Sequence, residues 1–190
     1  QTGEVLAMVN QPSYNPNNRS GLKSEAFRNR AVTDLFEPGS TLKPFTIAAG
    51  LESGRFTPES IVDTNPGYIR AGNHEIRDVH PIGVVPLPIV IQKSSNVGAI
   101  KVAFAIEPKQ FWGLLNRVGF GHPTNIEVPG ESAGQLDGYR NWGLQDRAVL
   151  AIGYHLTTSA VQLARAYGVL ASGGLLRPVT IQRLSSKPTE

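Results

Sequence analysis

The amino-acid sequence predicts an α+β fold with helices packed on an antiparallel sheet, and three observations carry that reading. Apolar runs near the two ends, Glu4 to Asn10 and Pro178 to Leu184, have the character of strands. Amphipathic segments with helix-start and helix-stop residues occupy much of the chain between them. The apolar residues, 40% of 190, suffice for a real core and exclude disorder as the main state. A two-stranded ribbon is marginal by itself. Further sheet strands are therefore expected beyond residue 190, and the chain is expected to hold part of its fold.

Each element follows from its residues. Glu4 to Asn10 comes directly after Thr2-Gly3 and reads as a buried strand. Gln11 to Ser24 is rich in Asn, Pro, Ser and Gly and reads as loop. Ala31 to Phe36 is a short mixed stretch, and Glu37-Pro38-Gly39 a turn. A helix is predicted from Ser40, carrying Leu42, Phe45, Ile47, Ala48, Ala49 and Leu51 and stopping at Gly54. Pro44 falls in its first turn, where a missing N–H costs little. Residues 55–88 contain five prolines and no sustained helical period, and read as a loop-rich excursion. Ile89 to Lys93 and Asn96 to Ile106 read as helical pieces broken around Ser94-Ser95. Glu107-Pro108 opens a helix whose Phe111, Leu114, Leu115 and Val118 share one face, with Gly119 as its stop. Residues 119–147 read as loop. Thr157-Thr158-Ser159 supplies an N-cap to the stripe Ala160, Leu163, Ala164, Tyr167, Leu170 and Ala171, which Gly173-Gly174 ends. Pro178 to Leu184 alternates as a closing strand.

Composition narrows the function classes. The formal net charge is +3, and no Lys/Arg run clusters the basic residues, so a nucleic-acid partner is not expected. With no cysteine, disulfides and Cys-ligated metals are excluded. No stretch reaches the ~18 apolar residues of a membrane-spanning helix. The opening lacks an initiating Met and the closing residues are polar. The chain is expected to be an internal fragment, so its missing targeting signals are silent about the parent protein.

The chemistry centres on Ser40-Thr41-Leu42-Lys43. Residues at i and i+3 of a helix share a face. A serine hydroxyl needs a neighbouring base to become a nucleophile, and a desolvated, neutral Lys43 would serve. The helix N-terminus favours a developing alkoxide. The bare spacing is weak, since thirteen serines and six lysines give about 0.4 such pairs by chance. A second one, Ser20-Gly21-Leu22-Lys23, lies in the polar loop. Context favours Ser40, which follows a Pro-Gly turn and opens an apolar helix. Ser94-Ser95-Asn96 sits at a helix break, where a hydroxyl can relay a proton and an amide can orient a substrate amide; Ser13-Tyr14-Asn15 is its decoy. The blander readings are an N-cap serine and a turn whose Asn caps the next helix. His74-Glu75-Ile76-Arg77-Asp78-Val79-His80 has metal-ligand residue types without metal-ligand spacing and reads as solvated loop. Trp112 and Trp142 read as packing anchors, and Asp34 and Glu37 as groups that orient the turn before Ser40.

Arg28 to Phe45, spanning Glu37-Pro38-Gly39-Ser40-Thr41-Leu42-Lys43-Pro44-Phe45, resembles the first active-site block of class B penicillin-binding proteins of the septal division type. Gln92-Lys93-Ser94-Ser95-Asn96-Val97-Gly98 is similar to their second block. Gly119-Phe120-Gly121 with Pro129-Gly130-Glu131, and Gln162 to Tyr167 with Gly173-Gly174, resemble later framework segments, and the likeness extends over nearly all residues. It implies a partial penicillin-binding transpeptidase, or serine β-lactamase-like, fold in which residues 1–190 form the N-terminal part of one transpeptidase domain. Ser40 would be the acylated nucleophile, Lys43 its general base and Ser94 the proton relay. Asn96 would bind the acyl-side amide, Tyr154 would belong to an aromatic wall of the cleft, and the Ser40 N–H would be an oxyanion donor. The implied partners are peptidoglycan stem peptides, β-lactam antibiotics and membrane proteins of the division complex, with no cofactor and no metal. The implied location is the periplasmic face of the inner membrane, with the anchor outside this chain.

Two departures matter. Ile152-Gly153-Tyr154-His155 stands where the family usually has an aromatic-Gly-Tyr-Gly run. The family's third block, Lys-Ser/Thr-Gly-Thr on a sheet strand, does not occur among these residues, which implies that they do not turn over substrate alone. Two other readings remain: a same-fold serine hydrolase (a β-lactamase or D,D-carboxypeptidase), and a non-catalytic penicillin-binding or scaffold domain. No Glu here has Asn three positions on, which argues against a class A β-lactamase.

Overall fold

The computed structural model describes residues 2–18, 20–21 and 24–185. Leu22 and Lys23 of the decoy spacing, and the closing residues 186–190, lie outside the described residues. In chain order the elements are α1 (Arg30–Thr33), α2 (Lys43–Glu52), β1 (Ile61–Asp63), β2 (Tyr68–Ala71), β3 (His74–Arg77), β4 (Val84–Pro86), α3 (Leu87–Gln92), α4 (Asn96–Ala105), α5 (Pro108–Arg117), α6 (Leu144–Ala151) and α7 (Ala160–Ala171). Helices with small antiparallel sheets make the α+β class the sequence predicts. The chain divides into two compact units. One comprises Glu37–Asn116 and Leu136–Leu156, and the other Gln1–Phe36, Arg117–Gln135 and Thr157–Glu190.

The first of these units is built around α4. Its face Val97, Ala99, Ile100, Val102 and Ala103 is fully buried, packed against α2 and α6. Gly98 permits α3 to come close, since a Cβ there would lie 2.6 Å from Val90 Cγ1. Ile47, Val62, Leu87, Val90 and Val102 form the core beside these helices, with Phe56 and Val85 against it. The Arg147 guanidinium closes the C-terminal end of α4, donating to the carbonyls of Ala103 and Ile106, both at 2.9 Å.

Residues 55–88 are not the plain loop the sequence suggests. β1 pairs antiparallel with β4, matching Val62 to Val85. β2 and β3 form a hairpin matching Ala71 to His74. These strands are three or four residues long and bury only Val62 and Ala71, so they carry no sustained apolar alternation. The two-residue Gly72-Asn73 turn, with φ of 59° at Gly72, was the readable signal. Leu144–Ala151 is likewise helix where loop was expected to residue 147. Its start is fixed by the Asp146 carboxylate, which accepts from the Gly143 N–H at 2.8 Å.

In the other unit, the two expected terminal strands contract to a single parallel bridge between Glu4 and Thr180. Val5 N donates to Thr180 O at 2.8 Å and Thr180 N to Gly3 O at 3.1 Å. Among the described residues neither segment gains a longer ladder, and Leu6 is 94% exposed. Helix α7 packs on α1 over a core of Val32, Ile126, Val161 and Val179. The predicted N-cap of α7 is Ser159, whose Oγ accepts from Gln162 N at 3.3 Å, while Gln162 Oε1 accepts from Ser159 N at 2.9 Å. That reciprocal box is buried, so Ser159→Ala is expected to lower stability by about 1–2 kcal/mol, measured by thermal unfolding.

Candidate active site

Gly39–Leu42 forms one turn of 3-10 helix that runs into α2. The Lys43 N–H donates to Ser40 O, and residues at i and i+3 eclipse one another in a 3-10 turn. The Ser40 and Lys43 side chains therefore leave the same face. Ser40 is exposed, whereas Lys43 is 2% exposed. Pro44, in the first turn of α2, needs no acceptor. The turn is braced by Thr41 Oγ1, which donates to Pro38 O at 2.7 Å.

Lys43 reaches across to the break between α3 and α4. Its Nζ donates to Ser94 O at 2.5 Å, Asn96 Oδ1 at 2.7 Å and Ser94 Oγ at 3.0 Å. These three acceptors match the three N–H groups of an ammonium. Among the described residues, none is hydrogen-bonded to Ser40 Oγ in this state. Burial pushes the Lys43 pKa down to about 8, against the opposing pull of the Asp78 carboxylate.

The break itself has a local cause. Ser95 N donates to Val90 O and Ser94 N to Ile91 O, both at 2.9 Å. This is the paired closure of a helix ending in a left-handed residue. Glycine usually fills that position; here it is Ser94, with φ of 53°. The strained backbone turns the Ser94 carbonyl and hydroxyl toward Lys43. Ser95 then caps α4, accepting from Gly98 N at 2.8 Å, and Asn96 opens the helix with its Nδ2 donating to Arg77 O at 2.8 Å.

Tyr154 is 47% exposed and follows Gly153, which packs backbone to backbone on the Ser40 turn. Gly39 N donates to Gly153 O at 2.9 Å. Gly153 has φ of 87°, and a Cβ there would overlap the Gly39 carbonyl. His155, where the resemblance expects a second glycine, takes φ of 64°. Its N–H is held by Glu37 Oε1 at 3.0 Å, so Glu37 ties this segment to the turn before Ser40.

Of the residues expected from the sequence, the structure thus brings Lys43, Ser94 and Asn96 into direct contact. Ser40 stands one turn before Lys43, and Tyr154 beside the backbone contact at Gly39. Asp78, expected to be a solvated loop residue, is instead built into the α4 N-terminus. Its Oδ1 accepts from Asn96 N at 2.5 Å and Val97 N at 3.0 Å, and its Oδ2 from Ser95 Oγ at 2.7 Å. Sequence reasoning passed over it because its partners lie 17 to 19 residues away.

Compared with known families, residues 1–188 match the model of the penicillin binding protein transpeptidase domain. The chain belongs to the penicillin-binding protein transpeptidase family. Relatives in this family include a probable peptidoglycan D,D-transpeptidase, PbpC, of Pseudomonas aeruginosa, 43% identical over 183 residues. The peptidoglycan D,D-transpeptidase FtsI of Escherichia coli K12 is also 43% identical, over 96% of this chain and 31% of its own length. The penicillin-binding transpeptidase fold is shared with solved structures. A crystal structure of a peptidoglycan glycosyltransferase from Burkholderia ambifaria superposes with a TM-score of 0.88 at 38% identity, covering 99% of this chain and 55% of that one. The apo TP domain of penicillin-binding protein 3 from Burkholderia pseudomallei gives 0.81 at 40% identity, covering 85% of this chain and 49% of that one. The chain spans about a third of the length of these curated relatives.

Proposed function

We propose that these residues form the N-terminal part of a transpeptidase domain in a longer protein, and that this protein crosslinks peptidoglycan as a D,D-transpeptidase. The share of its relatives that the chain spans supports the first statement. The observation that carries the second is Lys43: a buried amine with pKa near 8, bridging Ser94 and Asn96 one turn from an exposed serine. When its ammonium releases a proton, the amine keeps two N–H donors and gains a lone pair. That lone pair can take the Ser40 hydroxyl proton, directly or through Ser94. Ser40 Oγ then bonds to the carbonyl carbon of the penultimate D-Ala of a stem peptide. The tetrahedral intermediate collapses, the C–N bond to the terminal D-Ala breaks, and the held proton passes through Ser94 to the departing amine. An amine of a second stem attacks the resulting ester, restores the Ser40 hydroxyl and forms the crosslink. Asn96 would orient the acyl-side amide, and the exposed Tyr154 would border the cleft.

In this reading a β-lactam mimics the donor stem and traps Ser40 as an ester. The FtsI name among the relatives favours a role in cell division; septal crosslinking, division-complex membrane proteins as partners and the periplasmic face of the inner membrane as location are part of the same proposal. No helix among the described residues is long and apolar enough to cross a membrane. The test is labelling of the full-length protein with a fluorescent penicillin. Wild type is expected to label and hold the label, and Ser40→Ala to lose it. A Ser40→Ala protein that labels at the wild-type rate overturns the assignment, and rapid return to the unlabelled mass indicates a hydrolase instead.

A further inference from the structure

We infer that Asp78 is a positioning residue for acyl transfer: its carboxylate locks the first turn of α4, and with it the Ser94-Ser95-Asn96 break, in the orientation that presents Ser94 and Asn96 to Lys43. The inference rests on the reading of Lys43 and Ser40 given above. Three donors converge on this one carboxylate: the N–H groups of Asn96 and Val97, and Ser95 Oγ. Ser95 Oγ simultaneously accepts from Gly98 N, so Asp78 and Ser95 together satisfy the opening N–H groups of α4. An anion there is also stabilised by the positive end of the helix. Asp78 arrives from the end of β3, and the preceding carbonyl, Arg77 O, accepts from Asn96 Nδ2. The amide of Asn96 is thereby fixed on both sides, by Arg77 O and by Lys43 Nζ. The β2–β3 hairpin thus acts as a strut whose end sets the geometry of the second active-site block.

Asp78 also acts on the charge of Lys43, favouring the ammonium against burial. The other charged and titratable groups on the surrounding segments are paired elsewhere or exposed. Glu37 holds the His155 N–H, the Arg77 guanidinium pairs with Glu75 and lies over the Tyr68 ring, and Lys101 of α4 donates to Asp63 O. Lys93 is exposed at the end of α3, and Tyr154 is half exposed. Asp78 is accordingly the carboxylate that joins the geometry of the break to the proton affinity of the base.

The experiment is the rate of acylation by a fluorescent penicillin, followed against pH, in the full-length protein. Asp78→Asn keeps the shape and one acceptor oxygen but removes the charge. Its plateau rate is expected to fall at least several-fold, and its acid limb to move to lower pH, because the ammonium has lost its counter-charge. Asp78→Glu keeps the charge on a longer arm; its plateau is expected to fall while its limb stays near the wild-type pH. Limbs at the wild-type pH in both variants, or plateaus unchanged in both, overturn the inference. Thermal unfolding confirms that each variant is folded, and the Asn variant is chosen because its one oxygen can still accept from the Asn96 and Val97 N–H groups while the acceptor for Ser95 Oγ is lost. If Ser40→Ala still labels, the reading of the site itself has failed. If Ser40 alone carries the label and the Asp78 variants behave as wild type, this inference alone has failed.

Discussion

Lys43→Met in the full-length protein is expected to slow acylation by a penicillin by about 10²–10⁴-fold, the usual worth of a positioned general base. Methionine approximates the length of the lysine stem, so the buried space beneath Ser40 stays filled. The change removes the amine and leaves Ser94 O, Ser94 Oγ and Asn96 Oδ1 without their donor. The wild-type rate should itself depend on pH in a defined direction. The group must be neutral to take a proton, and its pKa is about 8, so the rate rises with pH through that value and levels above it. A wild-type rate that falls as pH rises from 6 to 8 would contradict the assignment of Lys43 as base.

The same lysine has a consequence for stability. Its pKa is lowered in the folded protein, from 10.5 to about 8. Between those values the unfolded chain binds more protons than the folded one, so this group's contribution to stability rises with pH across the window. The burial penalty is fully present below the lower value and gone above the upper one. Thermal midpoints measured across this range should rise for wild type relative to Lys43→Met.

Gly153→Ala is expected to have the second large effect. Its backbone has φ of 87°, and its missing side chain is where the Gly39 carbonyl lies. Alanine there meets a strained conformation and a backbone overlap together, which warrants a stability loss of about 3 kcal/mol or more. Even a protein that folds must separate Gly153 from Gly39, breaking the 2.9 Å bond that holds the Ser40 turn. Penicillin labelling should drop at least a hundredfold, since small displacements of a reacting group have costs of that order. Gly138→Ala is the matched control. It lies in the same unit, at φ of −67°, with nothing within 4 Å of the added carbon. Its unfolding midpoint and labelling should stay near wild type; equal damage from both substitutions would remove the special place given to Gly153.

How far the sequence went depends on whether a signal was local. The turn at Pro38-Gly39, the proline in the first turn of α2, the Ser159 cap and the break at Ser94-Ser95 are set by neighbours within a few residues, and all were legible. So was the pairing of Ser40 with Lys43 on one face, because it follows from chain geometry one turn apart. The strands of residues 55–88 were not, because runs of three or four residues are too short to carry an apolar pattern; their pairing is decided by partners across a sheet. The terminal strands failed in the opposite way: an apolar run at one end and apolar alternation at the other were present, but a strand is defined by a neighbour, and among the described residues only Glu4 and Thr180 find one.

The sequence by itself singled out the side chains proposed to carry the chemistry, and determined which turns and caps place them locally. Only the tertiary structure decided that Lys43 is buried against Ser94 and Asn96, 51 and 53 residues away, that Asp78 secures their helix, and that Gly153 lies against the Ser40 turn. The physical reason is that a lysine's proton affinity depends on the solvent and charges around it. Those surroundings are assembled by residues distant in the chain, whereas a turn or a cap is assembled by its own neighbours.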